Sequence, residues 1–99
     1  MTIKAGEIYT IKLGSGEELV AKITDVATGH VMAEQPVSIA PGPQGMGLVP
    51  SLFTADAREP VTINTHSISM HVLTDESVRV KYIEATTGLR VPEKKILMS

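Results

Sequence analysis

The chain has 99 residues, a formal net charge of -2 and a pI near 5.9, so it makes one domain with a modest core and presents no overall cationic field to nucleic acid or anionic lipid. It contains no cysteine and only two tyrosines and one phenylalanine as aromatics, which excludes disulfides and thiolate metal sites, makes the core aliphatic and leaves few rings for stacking on bases. No basic segment followed by an apolar stretch opens the sequence, and no apolar run reaches the roughly 18 residues of a membrane span. The expectation is a cytoplasmic chain without membrane contact.

Ile8 to Val26 is the longest stretch with a strict two-residue apolar period on both sides of a turn. Tyr9, Ile11 and Leu13 share one strand face, Leu19, Ala21 and Ile23 share another, and Gly14, Ser15 and Gly16 supply the reversal. Opposing Leu13 with Leu19, Ile11 with Ala21 and Tyr9 with Ile23 keeps both apolar sets on one side. After the reversal at Ala27 to His30, Val31 to Ala40 reads as a third strand with Val31, Ala33, Val37 and Ile39 on its apolar face. Gln35 and Pro36 mark a bulge or bend in its middle.

Residues 41 to 60 contain four of the six prolines and three of the eight glycines and read as a long insertion loop between strands three and four. Leu48, Val49, Leu52 and Phe53 within it are candidate partner-contacting residues; the competing role is local cover over the sheet. From Val61 to Leu73 the apolar positions change from odd (Val61, Ile63) to even (Ile68, Met70, Val72), so Asn64 to Ser67 must hold a bend. A turn over Thr74 to Ser77 leads into Val78, Val80 and Tyr82, read as the returning arm of a second hairpin with Val72 opposite Val78. Leu89 and Val91 suggest a short further strand before Lys94 and Lys95.

The expected fold is therefore a single all-β domain over residues 1–99: a strongly bent, five-stranded antiparallel sheet or small open barrel without a helix. Its expected core is Ile11, Leu13, Leu19, Ile23, Val72, Val78 and Val80. An immunoglobulin-like sandwich would need more strands than the sequence offers.

Three strands, an interruption and a final hairpin resemble the two-part layout of Sm-like (LSm) proteins, in their divergent phage, viral or environmental form. Gly16, Leu19 and Ile23 fill the glycine and the two hydrophobic positions of the first Sm motif, with Ala21 where a second glycine is usual. The stretch from His71 to Ile83 resembles the second motif through Val72, Asp75 and Val78. The resemblance implies an Sm-like or SH3-type barrel, assembly with itself into a homo-oligomeric ring, and RNA as a partner. Thr28, Gly29, His30, Thr74, Asp75, Arg79 and Lys81 are the candidate RNA-binding residues. The chain departs from the family where a base would sit: Ala27 and Val31 replace the usual Asp and Asn, and Leu73 and Thr74 replace the usual Arg-Gly pair.

Catalysis lacks its residues. Gly14-Ser15-Gly16 sits at a hairpin tip with no following helix to cradle a phosphate. His30, His66 and His71 lack metal-ligand spacing, and Glu17-Glu18 and Asp75-Glu76 are neighbours that point to opposite strand faces. No enzyme activity, cofactor or metal is expected; His30 is the one credible acid-base group for an activity built at a subunit interface. The expected function is a ring-forming Sm-like scaffold that binds RNA with an atypical base pocket. The alternative is a structural or protein-interaction ring that uses the 41–60 loop without specific RNA binding.

Overall fold

The apolar alternation from Ile8 to Val26 folds as a hairpin. The computed structural model describes residues 2–88, and in it β1 (Ile8–Leu13) pairs antiparallel with β2 (Glu18–Ala27). The ladder reaches Leu13, whose amide donates to Glu17 O at 2.9 Å, and Gly16, at φ 98°, donates to Leu13 O at 2.9 Å. Ile11 thus opposes Leu19 and Tyr9 opposes Ala21. The expected register is corrected by two residues, because the tip closes in a tighter loop; an even shift leaves every side chain on its expected face.

The third strand, β3 (His30–Gly42), carries the bulge that Gln35-Pro36 announces. Val20 opposes Val37 while Lys22 opposes Glu34, so Gln35 and Pro36 together face Ala21, and Gln35 takes a φ of 41°. One extra residue reverses the strand's phase. Val31 and Ala33 consequently enter one core layer and Val37 enters the other, which corrects the single apolar face expected for this strand.

Residues 41–50 are not a loop. β3 continues to Gly42 and pairs with β4 (Gly45–Pro50), with Ile39 opposite Leu48. The expected insertion over 41–60 is corrected to a hairpin arm followed by a loop over 51–60. Pro41 lies beyond Ser38, where pairing with β2 ends, and Pro50 closes β4. A strand tolerates a missing amide at such places.

Next come β5 (Val61–Asn64), one 3-10 turn η1 (Thr65–Ser67) and β6 (Ile68–Leu73). The turn is the bend expected between Asn64 and Ser67. β5 pairs with the start of β3 and β6 with β1. The turn is held at both ends, since Thr65 N donates to Gly29 O (3.0 Å) and Gly14 N donates to Ser67 O (2.8 Å). Gly14 and Gly29 flank the two ends of β2, about 33 Å apart if that strand were straight. A three-residue turn can touch both only because β2 is strongly curled, helped by the irregularity between Ile23 and Asp25.

Among the described residues the sheet has six strands, in the order β4-β3-β2-β1-β6 with β5 beside β3, and β5 and β6 do not pair with each other. It is antiparallel and open. Ser69 is a further extra residue, because Leu13 opposes Ile68 while Lys12 opposes Met70. Ile68 therefore packs inward while Met70 and Val72 turn outward, 63% and 62% exposed, which corrects the core place expected for Val72.

The expected final strand is a helix, α1 (Glu76–Gly88), so the hairpin expected to set Val72 opposite Val78 is corrected to a strand followed by a helix. Val78, Tyr82 and Ala85 fall at i, i+4 and i+7, the stripe a helix buries. Tyr82 is 3% exposed, whereas Val80, expected in the core, is 43% exposed on the opposite side. Ile11, Leu19 and Ile23 are buried as expected, and Leu13 and Val78 are partly so. No helix among the described residues is long and apolar enough to cross a membrane. The strand suggested at Leu89 and Val91, and Lys94 and Lys95, lie outside the described residues.

Two layers result. Tyr9, Ile11, Leu19, Ile23, Val31 and Ile63 fill the concave side, capped by Ile3 from the N-terminal arm. Ile8, Val20 and Val37 on the convex side take Tyr82 and Val78 of α1. The arm is fixed by Gly6 N to Ile23 O (2.6 Å) and Ile23 N to Glu7 O (2.9 Å).

Candidate interaction groove

The convex layer does not cover all of its apolar surface. Between the β3-β4 arm, the 51–60 loop and the end of α1 runs a groove of ≈ 250 Å³. Pro36, Val37, Leu48 and Pro50 form its floor. Leu52, Phe53 and Ala57 form one wall, Val61 and Ala85 contribute from β5 and α1, and Asp56 and Glu59 also line it.

The loop wall is built rather than draped. Ser51 N donates to Pro36 O (3.0 Å), Gln35 Nε2 donates to Ala57 O (3.3 Å), and Glu59 N donates to Asp56 O (3.0 Å). Arg58 grips Asp56 through Nε at 3.1 Å and Nη2 at 3.0 Å, which holds the Asp56 carboxyl below its ordinary range. Within this frame Leu52 and Phe53 stay 51% and 79% exposed.

Three of the four partner-contact candidates, Leu48, Leu52 and Phe53, thus line one cavity. Val49, opposite Ser38, points to the other face of β4. Sequence reasoning missed Pro36, Val37, Val61 and Ala85 as lining residues. Val37 was hidden by the phase reversal at Gln35 and Ala85 by the reading of α1 as a strand.

The RNA candidates are not brought together. Thr28, Gly29 and His30 form the β2-β3 reversal, with His30 opposite Asn64 beside the 3-10 turn. Thr74 and Asp75 lie at the other end of β1 and β6, where Thr74 N donates to Ile8 O (3.1 Å) and the Thr74 and Thr10 hydroxyls meet at 3.1 Å. Thr74 is buried. Asp75 begins α1, accepting from Ser77 N (3.1 Å) and from the Ser77 hydroxyl. Those bonds, side chain first, draw its carboxyl below the ordinary value.

Arg79 and Lys81, the two basic residues among the RNA candidates, both lie on α1. On a helix they project about 200° apart, so they do not present one basic face. Arg79 sits 3.6 Å from Glu76 and lines a second, polar groove with Glu7, Lys22 and Glu34, so that groove carries charges of both signs. Among the described residues no group of three or more His, Asp or Glu side chains gathers as a metal site would require. His71 is half-buried on the core side, its ring edge-on to Tyr9 at 6.0 Å and 83°.

The described residues form a small, open antiparallel β domain with α1 packed on its convex face. No protein-family model and no curated protein matches the chain.

Proposed function

We propose that the chain is a non-catalytic, self-associating interaction protein that receives an apolar segment of a partner protein in the groove over β3 and β4. The observation that carries this reading is the convergence of Leu48, Leu52 and Phe53 on one preformed cavity whose loop wall is pinned by backbone hydrogen bonds. Preformed apolar clefts with a few polar groups are the usual form of a binding site, and an exposed aromatic beside one is a typical anchor.

On this reading the domain is an Sm-like or SH3-type barrel opened between β5 and β6, with the β3-β4 arm and α1 added. Its support is that consecutive β5 and β6 join opposite edges of the β1-β2-β3 meander. Self-association draws support from the bare outer edge of β6, and the ring implied by the Sm resemblance is one way to close it. RNA binding draws less support, because its candidate residues lie at two ends of the sheet and Arg79 and Lys81 diverge.

Selection from a random peptide library on the full chain tests the reading. The expected result is enrichment of apolar peptides whose binding is lost in a Leu52→Ser, Phe53→Ser variant. Salt-sensitive retention of single-stranded RNA, lost on replacing Arg79 and Lys81 but intact in the groove variant, would overturn it in favour of the RNA scaffold.

A further inference from the structure

The outer edge of β6 is unlike the other edges of the sheet. Its sequence, ISMHVL, has no charge, glycine or proline. β4 carries Gly45, Gly47 and Pro50 among its six residues, and β5 has four residues and follows Pro60. Native edges are usually protected by charge, proline or brevity. β4 and β5 have such protection and β6 does not, and among the described residues no strand lies along its outer side.

Which backbone groups face outward follows from the ladder. Leu13 N donates to Glu17 O, so the odd residues of β1 bond to β2, and Ile8 O accepts from Thr74 N, so the even ones bond to β6. Thr10 opposes Val72 and Lys12 opposes Met70, which commits the backbone groups of residues 70 and 72 to β1. The N–H and C=O of His71 and Leu73 point away from the sheet. On the convex face of this strand Met70 and Val72 stand exposed, and Leu73 is 58% exposed on the other.

We propose that β6 pairs antiparallel with β6 of a second copy, about a twofold axis through His71. This inference rests on the self-association part of the reading above and on nothing in the groove. Outward-facing residues can oppose only one another, so residues 71 and 73 must meet odd-numbered partners. The register with His71 opposite His71 overlaps Ser69 to Leu73. It sets each Met70 beside Val72 of the second copy on one face, so four exposed apolar side chains are covered by the same operation. The occupant is a second copy because an uncharged apolar strand finds its like here, whereas a head-to-tail contact would press β6 onto the glycine- and proline-bearing β4 or the short β5.

Light scattering on the full chain is expected to give about twice 10.6 kDa. His71→Pro removes an amide that the subunit's own ladder does not use; it is expected to leave the circular dichroism spectrum unchanged and to halve the mass. Met70→Lys, at an exposed site, is expected to do the same should proline disturb the strand. The chain has no cysteine, so His71→Cys supplies a single thiol, and the twofold register is expected to yield a disulfide-linked dimer on oxidation. A monomeric wild type, an oligomer that survives both His71→Pro and Met70→Lys, or a ring whose His71→Cys form does not cross-link would overturn the proposal. Met70→Lys is expected to bind the selected peptides unchanged, so failure here is distinguishable from failure of the groove.

Discussion

The Tyr82 hydroxyl occupies a place in the sheet that a backbone group would normally fill. At the Gln35-Pro36 bulge it accepts from Lys22 N at 3.2 Å and donates to Glu34 O at 2.7 Å, bridging β2 and β3 from the helix above them. Burial, foremost, and the nearby Glu34 carboxylate raise its pKa above 10.0, against a smaller lowering by the Lys22 amide. A phenol held more firmly protonated in the folded chain contributes stability in full below the unfolded value and loses it as pH climbs through the folded one. Stability is therefore expected to fall as pH rises past about 10. Tyr82→Phe is expected to remove Tyr82's share of that slope and, by leaving two backbone groups unpaired, to cost about 1 to 3 kcal/mol at neutral pH. Urea denaturation across alkaline pH checks both; an unchanged alkaline slope in Tyr82→Phe would contradict the assignment.

At the scale of the element, α1 shows where local pattern gives out. Val78, Val80 and Tyr82 satisfy a two-residue period, and Val78, Tyr82 and Ala85 satisfy a helical one. β-branched valines bias the choice toward a strand, but Asp75 at the N-cap and an apolar patch of Ile8, Val20 and Val37 to cover decide it for the helix. Val80→Ala separates the two structures. In a strand core it would cost well over 1 kcal/mol, whereas on the exposed side of α1 alanine's better helix propensity is expected to leave stability within about 0.5 kcal/mol of wild type or slightly raised. Equilibrium unfolding measures it, and a large loss would mean that Val80 is buried. The first hairpin, the bulge in β3 and the bend before β6 were legible because each is written in neighbouring residues. The β3-β4 arm was not, since prolines at bare strand ends resemble prolines in a loop. Part of the groove lining was therefore legible, through Leu48, Leu52 and Phe53, and the part supplied by Pro36, Val37, Val61 and α1 was not.

At the scale of the whole molecule, the concave layer concentrates on Ile23, which is fully buried among side chains from several strands. Ile23→Ala is expected to cost about 2 to 5 kcal/mol by denaturant titration; a loss below 1 kcal/mol would show that the layer is loosely packed. The pairing of β1 with β6 gives that layer a history as well as a shape. β1 through β4 pair with their neighbours in sequence, but Tyr9 meets Leu73 across most of the chain, and the 3-10 turn finds both of its anchors only when the curl of β2 is already in place. Joining such distant segments costs loop entropy before contact returns any gain. The meander is thus expected to be the folding nucleus, with β5, the turn and β6 closing last. In stopped-flow kinetics Ile23→Ala should then mainly slow folding, and Ile68→Ala should mainly quicken unfolding. The reverse pattern would place the nucleus at the turn. If the meander does form first, a ribosome-bound chain that has emerged only to Pro50 already holds four of the six described strands, with the edge of β1 that β6 will cover still bare.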